Sequence, residues 1–261
     1  MKYIFLLFLS LSLFAQESTP VALIVHGLNS KPKAMDAYAQ IFKEMKIKTY
    51  QVSLTGHSDI INQCKEDLKQ IKAHDWPNDV LRIYEEIKTK YPNSPIYFVG
   101  HSLGGLLGST LLNQKKVYFE KMILLAPALN VNLSAHLMRI PLDPSNYVPS
   151  FTPIEYSANE STVMAIYQAL FEIYDEFHEN LKPNHINIPT LVFLDPEDEL
   201  ISFDNTQKFI QKNELTNWNL VKVRKSKGAL FDYHHLLHDE RTMGKESWGK
   251  IKMQIIDFIN Q

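Results

Sequence analysis

The sequence predicts an α/β fold built on a mostly parallel sheet of about six strands with helices on both faces. Short apolar runs alternate with longer amphipathic segments along most of the chain. The short runs lack a polar alternation, as strands that are covered on both faces require. The length of 261 residues suits one domain that carries an insertion.

Each element of this fold has its own segment. The strand candidates are short and mostly apolar: Val21 to Val25, Ile47 to Leu54, Ile96 to Val99, Met122 to Ala126, Thr190 to Leu194 and Trp218 to Val223. The helix candidates carry apolar residues at helical spacing: Lys33 to Met45, Ile60 to Ala73, Asn78 to Lys90, Leu103 to Gln114, Asn205 to Gln211 and Glu246 to Ile259.

The first residues have the pattern of a signal peptide. Lys2 supplies a positive charge, and an apolar run from Ile4 ends at the small residue Ala15. The run is shorter than the roughly 20 residues of a membrane-spanning helix, although an uncleaved anchor is the alternative interpretation. We expect residues 1–15 to be the signal peptide and the protein to be exported, to a periplasm or outside the cell.

The charge balance indicates the kind of partner. Lysine and arginine number 27, aspartate and glutamate number 29, and the formal net charge is −2. No basic stripe is present, so the sequence lacks the electrostatic pattern that nucleic-acid binding requires. We therefore expect a small-molecule substrate; the sequence does not indicate an oligomeric state.

The most specific motif is a strand that runs into Gly100-His101-Ser102-Leu103-Gly104 and then into a helix. This is the context of a nucleophile elbow, a tight turn that exposes a reactive serine above the sheet. Ser102 is the predicted nucleophile. The helix that follows directs free N–H groups at the same place, so the amide of Leu103 is a predicted donor to an oxyanion.

A second motif supplies the other donor. The first apolar strand ends in His26-Gly27, followed by Leu28. The tetrahedral intermediates of acyl transfer are stabilised by two N–H groups directed at the developing oxyanion. We predict the amide of Leu28 as the second donor, with His26 shaping the loop.

Together these motifs resemble the α/β-hydrolase superfamily, and in particular serine hydrolases of the monoglyceride lipase and serine aminopeptidase-like group of capped carboxylesterases. Leu54-Thr55-Gly56-His57-Ser58 is similar to the Gly-His turn of that group, and Trp76 with Asp79-Val80 is similar to the start of its helix before the elbow. The resemblance covers almost the whole chain after the leader. It implies a helical cap inserted at about residues 129–187, within a hydrolase domain of residues 16–261.

The resemblance also implies an acid after the next-to-last strand. The segment from Asp195 to Ile201 offers four carboxylates. The family pattern aligns Asp198 with the acid and places Asp195 where a glycine is usual. We expect Asp198 to be the acid, with Asp195 as the alternative.

The base is expected in the loop after the last strand. Tyr233-His234-His235-Leu236-Leu237 resembles the family pattern and aligns His234 with the base. His235 is the alternative, and His238 is expected on a helix surface. Three clustered histidines also invite a metal interpretation, but no second motif with ligand spacing accompanies them. We expect no metal and no organic cofactor.

The composition of the cap segment indicates the class of substrate. It is rich in aromatic residues, among them Phe171, Tyr174 and Phe177, which either line a pocket or pack the cap onto the domain. An apolar cap suits an acyl chain and allows contact with lipid or a membrane surface. We expect a carboxylic ester of lipid or monoacylglycerol type as substrate. Alternatives are a thioesterase, a peptidase that uses acidic cap residues, and a non-catalytic binding protein.

Overall fold

The structure, a computed structural model, describes residues 19–133, 143–150 and 152–261. The predicted signal peptide lies outside these residues, as do parts of the predicted cap. Within the described ranges, the six predicted strands and five of the six predicted helices form near their expected positions, whereas the 16-residue helix Met164–Glu179 lies in the cap, where no helix bounds are predicted. None of these helices is both long enough and apolar enough to cross a membrane.

The elements follow in alternating order. The strands are β1 (Val21–Val25), β2 (Lys48–Val52), β3 (Ile96–His101), β4 (Lys121–Leu125), β5 (Tyr147–Pro149), β6 (Ser161–Val163), β7 (Thr190–Leu194) and β8 (Trp218–Lys222). The α-helices are α1 (Asp36–Glu44), α2 (Asp75–Lys90), α3 (Leu103–Asn113), α4 (Met164–Glu179), α5 (Pro183–Ile186), α6 (Phe203–Lys212), α7 (Glu240–Met243) and α8 (Lys245–Asn260). Two 3₁₀ helices cover Pro32–Met35 and Lys65–Gln70.

Six strands form one parallel sheet in the order β2-β1-β3-β4-β7-β8, which confirms the predicted class. The chain runs outward from β1 to β2 and then crosses back to β3, so the strand order reverses between β1 and β3. Val25 at the end of β1 pairs with Gly100 at the end of β3. Ligands of open α/β sheets bind outside the carboxyl ends of the strands at such a reversal.

Helices cover both faces of the sheet. On one face α1 and α8 lie together, with the Tyr38 ring edge-on to Trp248 at 5.2 Å and Lys252 paired with Glu44 at 2.7 Å. On the other face α3 contacts α2, α4 and α5. Every residue of α3 is buried, because the helix lies between the sheet and the α4 layer.

The predicted helix over Ile60 to Ala73 is wrong, since only the 3₁₀ turn at Lys65–Gln70 forms there. Tertiary bonds override the apolar spacing: the Asn62 N–H donates to the Ala158 carbonyl at 2.9 Å, and the side chain of Ile60 is exposed. The cap region also contains the antiparallel pair β5 and β6, which the sequence pattern did not indicate.

Candidate active site

Ser102 sits at the carboxyl end of β3 in a strained backbone conformation, with φ 50° and ψ −113°. The turn is tight because its flanking residues lack side chains. A Cβ on Gly100 would lie 2.6 Å from the amide nitrogen of Gly105, and one on Gly104 would lie 2.4 Å from the Val25 carbonyl oxygen. Such strain persists where surrounding structure enforces it, and it clusters at functional sites.

Two backbone amides stand beside this serine. Leu103 is the first residue of α3, so its N–H has no acceptor within the helix. Leu28 lines the same cavity as Ser102. The loop that carries Leu28 runs against the nucleophile, since a Cβ on Gly27 would lie 3.2 Å from the Cβ of Ser102.

Asp198 pairs with His235. The Nδ1 atom of His235 lies 2.9 Å from Oδ2 and 3.1 Å from Oδ1 of Asp198, and both side chains are buried. Asp198 Oδ1 also accepts the backbone N–H groups of Leu200 and Ile201, each at 2.8 Å. These bonds fix the carboxylate, and His235 lines the cavity of Ser102.

The predicted base, His234, does not pair with Asp198. Its Nδ1 lies 2.9 Å from Oδ2 of Asp195, because adjacent residues of the loop direct their side chains to different sides. Burial lowers the pKa of His234, but the hydrogen bond and charge of Asp195, with the charges of Glu199 and Glu197, outweigh it and raise that pKa. The structure thus corrects the expected His234 pairing in favour of the alternative, His235.

Glu199 contacts both histidines through the backbone, which the sequence analysis missed. Its Oε1 accepts the N–H of His234 at 3.0 Å, and its Oε2 accepts the N–H of His235 at 3.1 Å. No local sequence pattern predicts such a contact, because it forms only where the loop after β7 meets the loop after β8. Three carboxylates from residues 195–199 therefore form hydrogen bonds with this pair of histidines, and the fourth, Glu197, lies 3.8 Å from Nε2 of His234.

His101, which lines the Ser102 cavity, forms a buried layer with His238 next to His235. His101 Nε2 donates to the carbonyl of His235 at 3.0 Å, and burial lowers the pKa of His101 to about 3, so the ring is neutral. The expected surface position of His238 is wrong. Its ring is fully buried between His101, at 4.4 Å between centroids, and Tyr156 at 5.2 Å.

The cavity above Ser102 is mostly apolar, with a volume of about 120 Å³. Its apolar lining includes Val131, Tyr167, Leu170, Phe171, Leu200 and Tyr233. Among the described lining residues there is no aspartate or glutamate. An apolar wall with a few polar groups at one end is typical of a small-molecule site.

The cap aromatics divide between the two expected roles. Phe171 lines the cavity, whereas Phe177 is fully buried and contacts Phe209, with 6.2 Å between ring centroids. The acidic residues of α4 line a different surface concavity: Glu172, Asp175, Glu176 and Glu179.

In the part of the chain that the structure describes, no group of three or more histidine, cysteine, aspartate or glutamate side chains could hold a metal ion. The expectation that the reaction needs no metal or organic cofactor stays a prediction.

Comparison with known proteins identifies the family. The family model described as serine aminopeptidase, S33, matches residues 16–169, which is more than half of the chain. Monoglyceride lipase of Mus musculus is 27% identical over 119 residues, and that of Rattus norvegicus is 25% identical over 119 residues. Each match covers 44% of this chain and 37% of the relative, so it spans well under half of those relatives.

Solved structures share the fold over nearly the whole chain. One, described as LipS and LipT, two metagenome-derived lipolytic enzymes, has a TM-score of 0.74 at 18% identity and covers 93% of this chain and 95% of its own. A soluble variant of monoglyceride lipase from Saccharomyces cerevisiae, in complex with a substrate analog, has a TM-score of 0.73 at 11% identity, with coverage of 94% and 88%. These similarities confirm the fold predicted from the sequence.

Proposed function

Because the chain belongs to the serine aminopeptidase S33 family and has the α/β-hydrolase fold, we propose that it is a serine hydrolase that cleaves carboxylic esters of lipid or monoacylglycerol type. Ser102 is the nucleophile, His235 the general base and Asp198 the residue that orients the base. The amides of Leu28 and Leu103 form the oxyanion hole. The observation that carries the proposal is His235, which binds Asp198 on one side and faces the cavity of Ser102 on the other.

The first half of the reaction acylates the serine. With Nδ1 held by Asp198, Nε2 of His235 is the nitrogen left to take the proton of the Ser102 hydroxyl. Oγ of Ser102 then attacks the ester carbonyl carbon, and the carbonyl oxygen becomes an oxyanion that accepts the Leu28 and Leu103 N–H groups. The imidazolium gives its proton to the leaving alcohol as the C–O bond breaks, which leaves an acyl group on Ser102.

The second half releases the acid. His235 takes a proton from water, the hydroxide oxygen attacks the acyl carbon, and a second oxyanion forms in the same hole. When this intermediate collapses, Ser102 Oγ leaves and recovers its proton from His235. Asp198 stays ionised throughout and stabilises the imidazolium.

The lining of the cavity favours an ester substrate over a peptide substrate with a free amino terminus. Recognition of an ammonium group calls for a carboxylate close to the reacting carbonyl. The described lining of the Ser102 cavity has none, and the acidic residues of α4 line a separate concavity. The apolar lining suits an acyl chain, so a thioester of the same acyl class is the second candidate.

Hydrolysis of p-nitrophenyl esters of graded chain length by the purified protein tests this function, with Ser102→Ala alongside. We expect activity that Ser102→Ala removes, with an optimum chain length set by the cavity. Thioesters of the same acyl groups and an aminoacyl p-nitroanilide complete the panel. Activity on the anilide alone would move the assignment to a peptidase, and activity that survives Ser102→Ala would overturn it.

We also propose that residues 1–15 direct export, on the pattern of Lys2 followed by the apolar run. N-terminal sequencing of the protein expressed from the full coding sequence tests this. A mature protein that begins after Ala15 is expected, and one that retains Met1 in the cytoplasm would contradict it.

A further inference from the structure

Asn29 directly follows the proposed oxyanion donor Leu28 and lines the cavity of Ser102, but it takes no part in the chemical steps described above. Its side chain is buried, and its backbone adopts the left-handed conformation with φ 52°. Asparagine is among the few residues that adopt this conformation at low cost. The side chain faces Ser150 and residues 152–160, a segment that we call the cap foot.

The Asn29 amide group is fully engaged with the cap foot. Its Nδ2 donates to Ser150 Oγ at 2.8 Å, to Ser157 Oγ at 2.9 Å and to the Asn159 carbonyl at 2.9 Å, so two hydrogens serve three acceptors. Its Oδ1 accepts both the backbone N–H and the side-chain Nδ2 of Asn159, each at 3.1 Å. A carboxylate or an aliphatic side chain could not both donate and accept here.

The backbone of Asn29 joins two further elements. Its N–H donates to Nε2 of His57 at 2.9 Å, and its carbonyl accepts the N–H of Ala158 at 2.9 Å. His57 Nδ1 lies 3.0 Å from the Thr55 carbonyl, so Nδ1 carries the proton and Nε2 is the acceptor. Burial lowers the pKa of His57 to about 4, which keeps that acceptor available at neutral pH.

We infer that Asn29 is a positioning residue that couples the cap foot to the oxyanion hole. The Leu28 N–H belongs to the Gly27–Leu28 peptide unit, which is separated only by the Leu28 α-carbon from the Leu28–Asn29 unit, and Asn29 is fixed by the cap foot and His57. Movement of the cap foot therefore moves an oxyanion donor. This inference rests on the proposed function, since it assigns a consequence to the Leu28 amide.

The coupling predicts which kinetic constant changes when Asn29 is substituted. An oxyanion donor binds the transition state more strongly than the ground state, so displacing it lowers kcat and leaves KM nearly unchanged. Removal of one such donor costs roughly 100- to 1000-fold in kcat. A donor that is loosened rather than removed should cost less, about 10- to 100-fold.

The test variant is Asn29→Gly, because glycine keeps the left-handed backbone while removing the side chain and its hydrogen bonds. The chain offers a matched control in Asn62, which also has a positive φ, of 60°, and also bonds the cap foot. Its Oδ1 accepts the Glu160 N–H at 3.1 Å and its Nδ2 donates to Glu160 Oε2 at 3.2 Å. The Asn62 side chain bonds only the exposed Glu160, so Asn62→Gly removes one contact of the cap foot and leaves every bond of Asn29 in place.

The measurements are kcat, KM and the inhibition constant of an acyl trifluoromethyl ketone, which forms an oxyanion adduct with a serine. For Asn29→Gly we expect kcat to fall and the inhibition constant to rise by similar factors of about 10 to 100, with KM within about threefold. Asn62→Gly should keep the parent values. Parent-like kcat and inhibition in Asn29→Gly, or equal losses in both variants, would overturn the coupling.

Two further variants distinguish unfolding from a loss of the coupling, and failure of the coupling from failure of the proposed function. If circular dichroism shows that Asn29→Gly is unfolded, Asn29→Asp replaces it, since aspartate keeps the acceptor but repels the Asn159 carbonyl; a parent-like kcat in that variant would overturn the coupling. Ser102→Ala is measured in parallel. If it abolishes hydrolysis while Asn29→Gly does not reduce kcat, only the coupling fails; if it retains parent activity, the proposed function fails as well.

Discussion

Nδ1 of His235 lies 2.9 Å from Oδ2 of Asp198, while the neighbouring His234 makes the same contact, at the same distance, with Asp195. Two histidine-aspartate pairs therefore stand side by side at one edge of the sheet. Of these two histidines, His235 lines the cavity of Ser102 and His234 does not. The histidine of the pair that faces the nucleophile can take its proton, whereas the other pair can stabilise the loop.

This arrangement predicts opposite results for two matched substitutions. His235→Gln should lower kcat for ester hydrolysis by about 1000-fold or more, because the general base is lost. His234→Gln should retain activity within about fivefold, because it removes an ion pair of the loop rather than the base. Steady-state kinetics of both variants decide the assignment. A large loss in His234→Gln with activity kept in His235→Gln would restore His234 as the base.

Glu199 provides a second prediction. Glutamine has one acceptor oxygen, so Glu199→Gln can accept only one of the two loop N–H groups and places its NH₂ against the other. We expect kcat to fall about 3- to 10-fold, since each charge-assisted bond is worth about 1.5–3 kcal/mol before solvent screening. The downfield proton signal of the His235–Asp198 hydrogen bond should also broaden.

Glu197→Gln is the matched control, because Glu197 is exposed, pairs with Arg224 and approaches the side chain of His234 at 3.8 Å but accepts neither loop N–H group. It should match the parent in kcat and in the proton spectrum. An unchanged kcat in Glu199→Gln would show that the two backbone bonds do not position the base.

The main features of the fold were predictable from the sequence because parallel strands and elbow glycines leave local signals. The predicted Val21 to Val25 and Thr190 to Leu194 strands match β1 and β7 residue for residue. The elbow could be found because a strained serine between glycines is encoded within five residues. The helix predicted over Ile60 to Ala73 does not form, because hydrogen bonds to the distant cap foot determine the conformation of this segment.

The base and the support of the oxyanion loop could not be settled from the sequence. The sequence alone does not distinguish His234 from His235 as the base. The position of residues 195–199 against this loop determines which ring contacts Asp198. Asn29 acts through residues more than a hundred positions away in the chain. Contacts between distant loops have no local pattern.

The cavity wall gives a third prediction, on chain-length selectivity. Phe171→Leu shortens a side chain that lines the cavity, so longer acyl chains should fit better. The ratio of kcat/KM for longer over shorter esters should rise about 10-fold, the scale of a methylene or two in an apolar pocket. The same change at Phe177, which is buried away from the cavity, should leave this ratio unchanged. Equal shifts in both variants would contradict this role for Phe171.

The buried histidines predict a loss of stability in mild acid. Burial lowers the pKa of His57 to about 4, whereas a histidine in the unfolded chain titrates near about 6.5. Between these values the unfolded state binds a proton that the folded state does not, so the free energy of unfolding falls as the pH falls from about 6.5 to 4. Urea unfolding at pH 7.5 and pH 5 should show this decrease, and His57→Gln should make it smaller. An identical pH dependence in the variant would contradict the account.

Alanine substitutions at Gly104 and Gly249 are expected to have opposite effects. A Cβ on Gly104 would meet the Val25 carbonyl oxygen at 2.4 Å, so Gly104→Ala should distort the elbow and abolish measurable esterase activity. A Cβ on Gly249, within α8, would meet nothing within 4 Å, and Gly249→Ala should raise the free energy of unfolding by about 0.5–1 kcal/mol. Activity and chemical unfolding of both variants check this. Full activity in Gly104→Ala would contradict the elbow geometry.

The most direct test of the central claim is the rate of covalent labelling by a fluorophosphonate probe, with the modified residue identified by mass spectrometry. The account predicts a single adduct on Ser102, a labelling rate at least about 100-fold lower in His235→Gln, and a rate close to that of the parent in His234→Gln. An adduct on another residue, or labelling of Ser102 that does not depend on His235, would contradict the proposed Ser102–His235–Asp198 site.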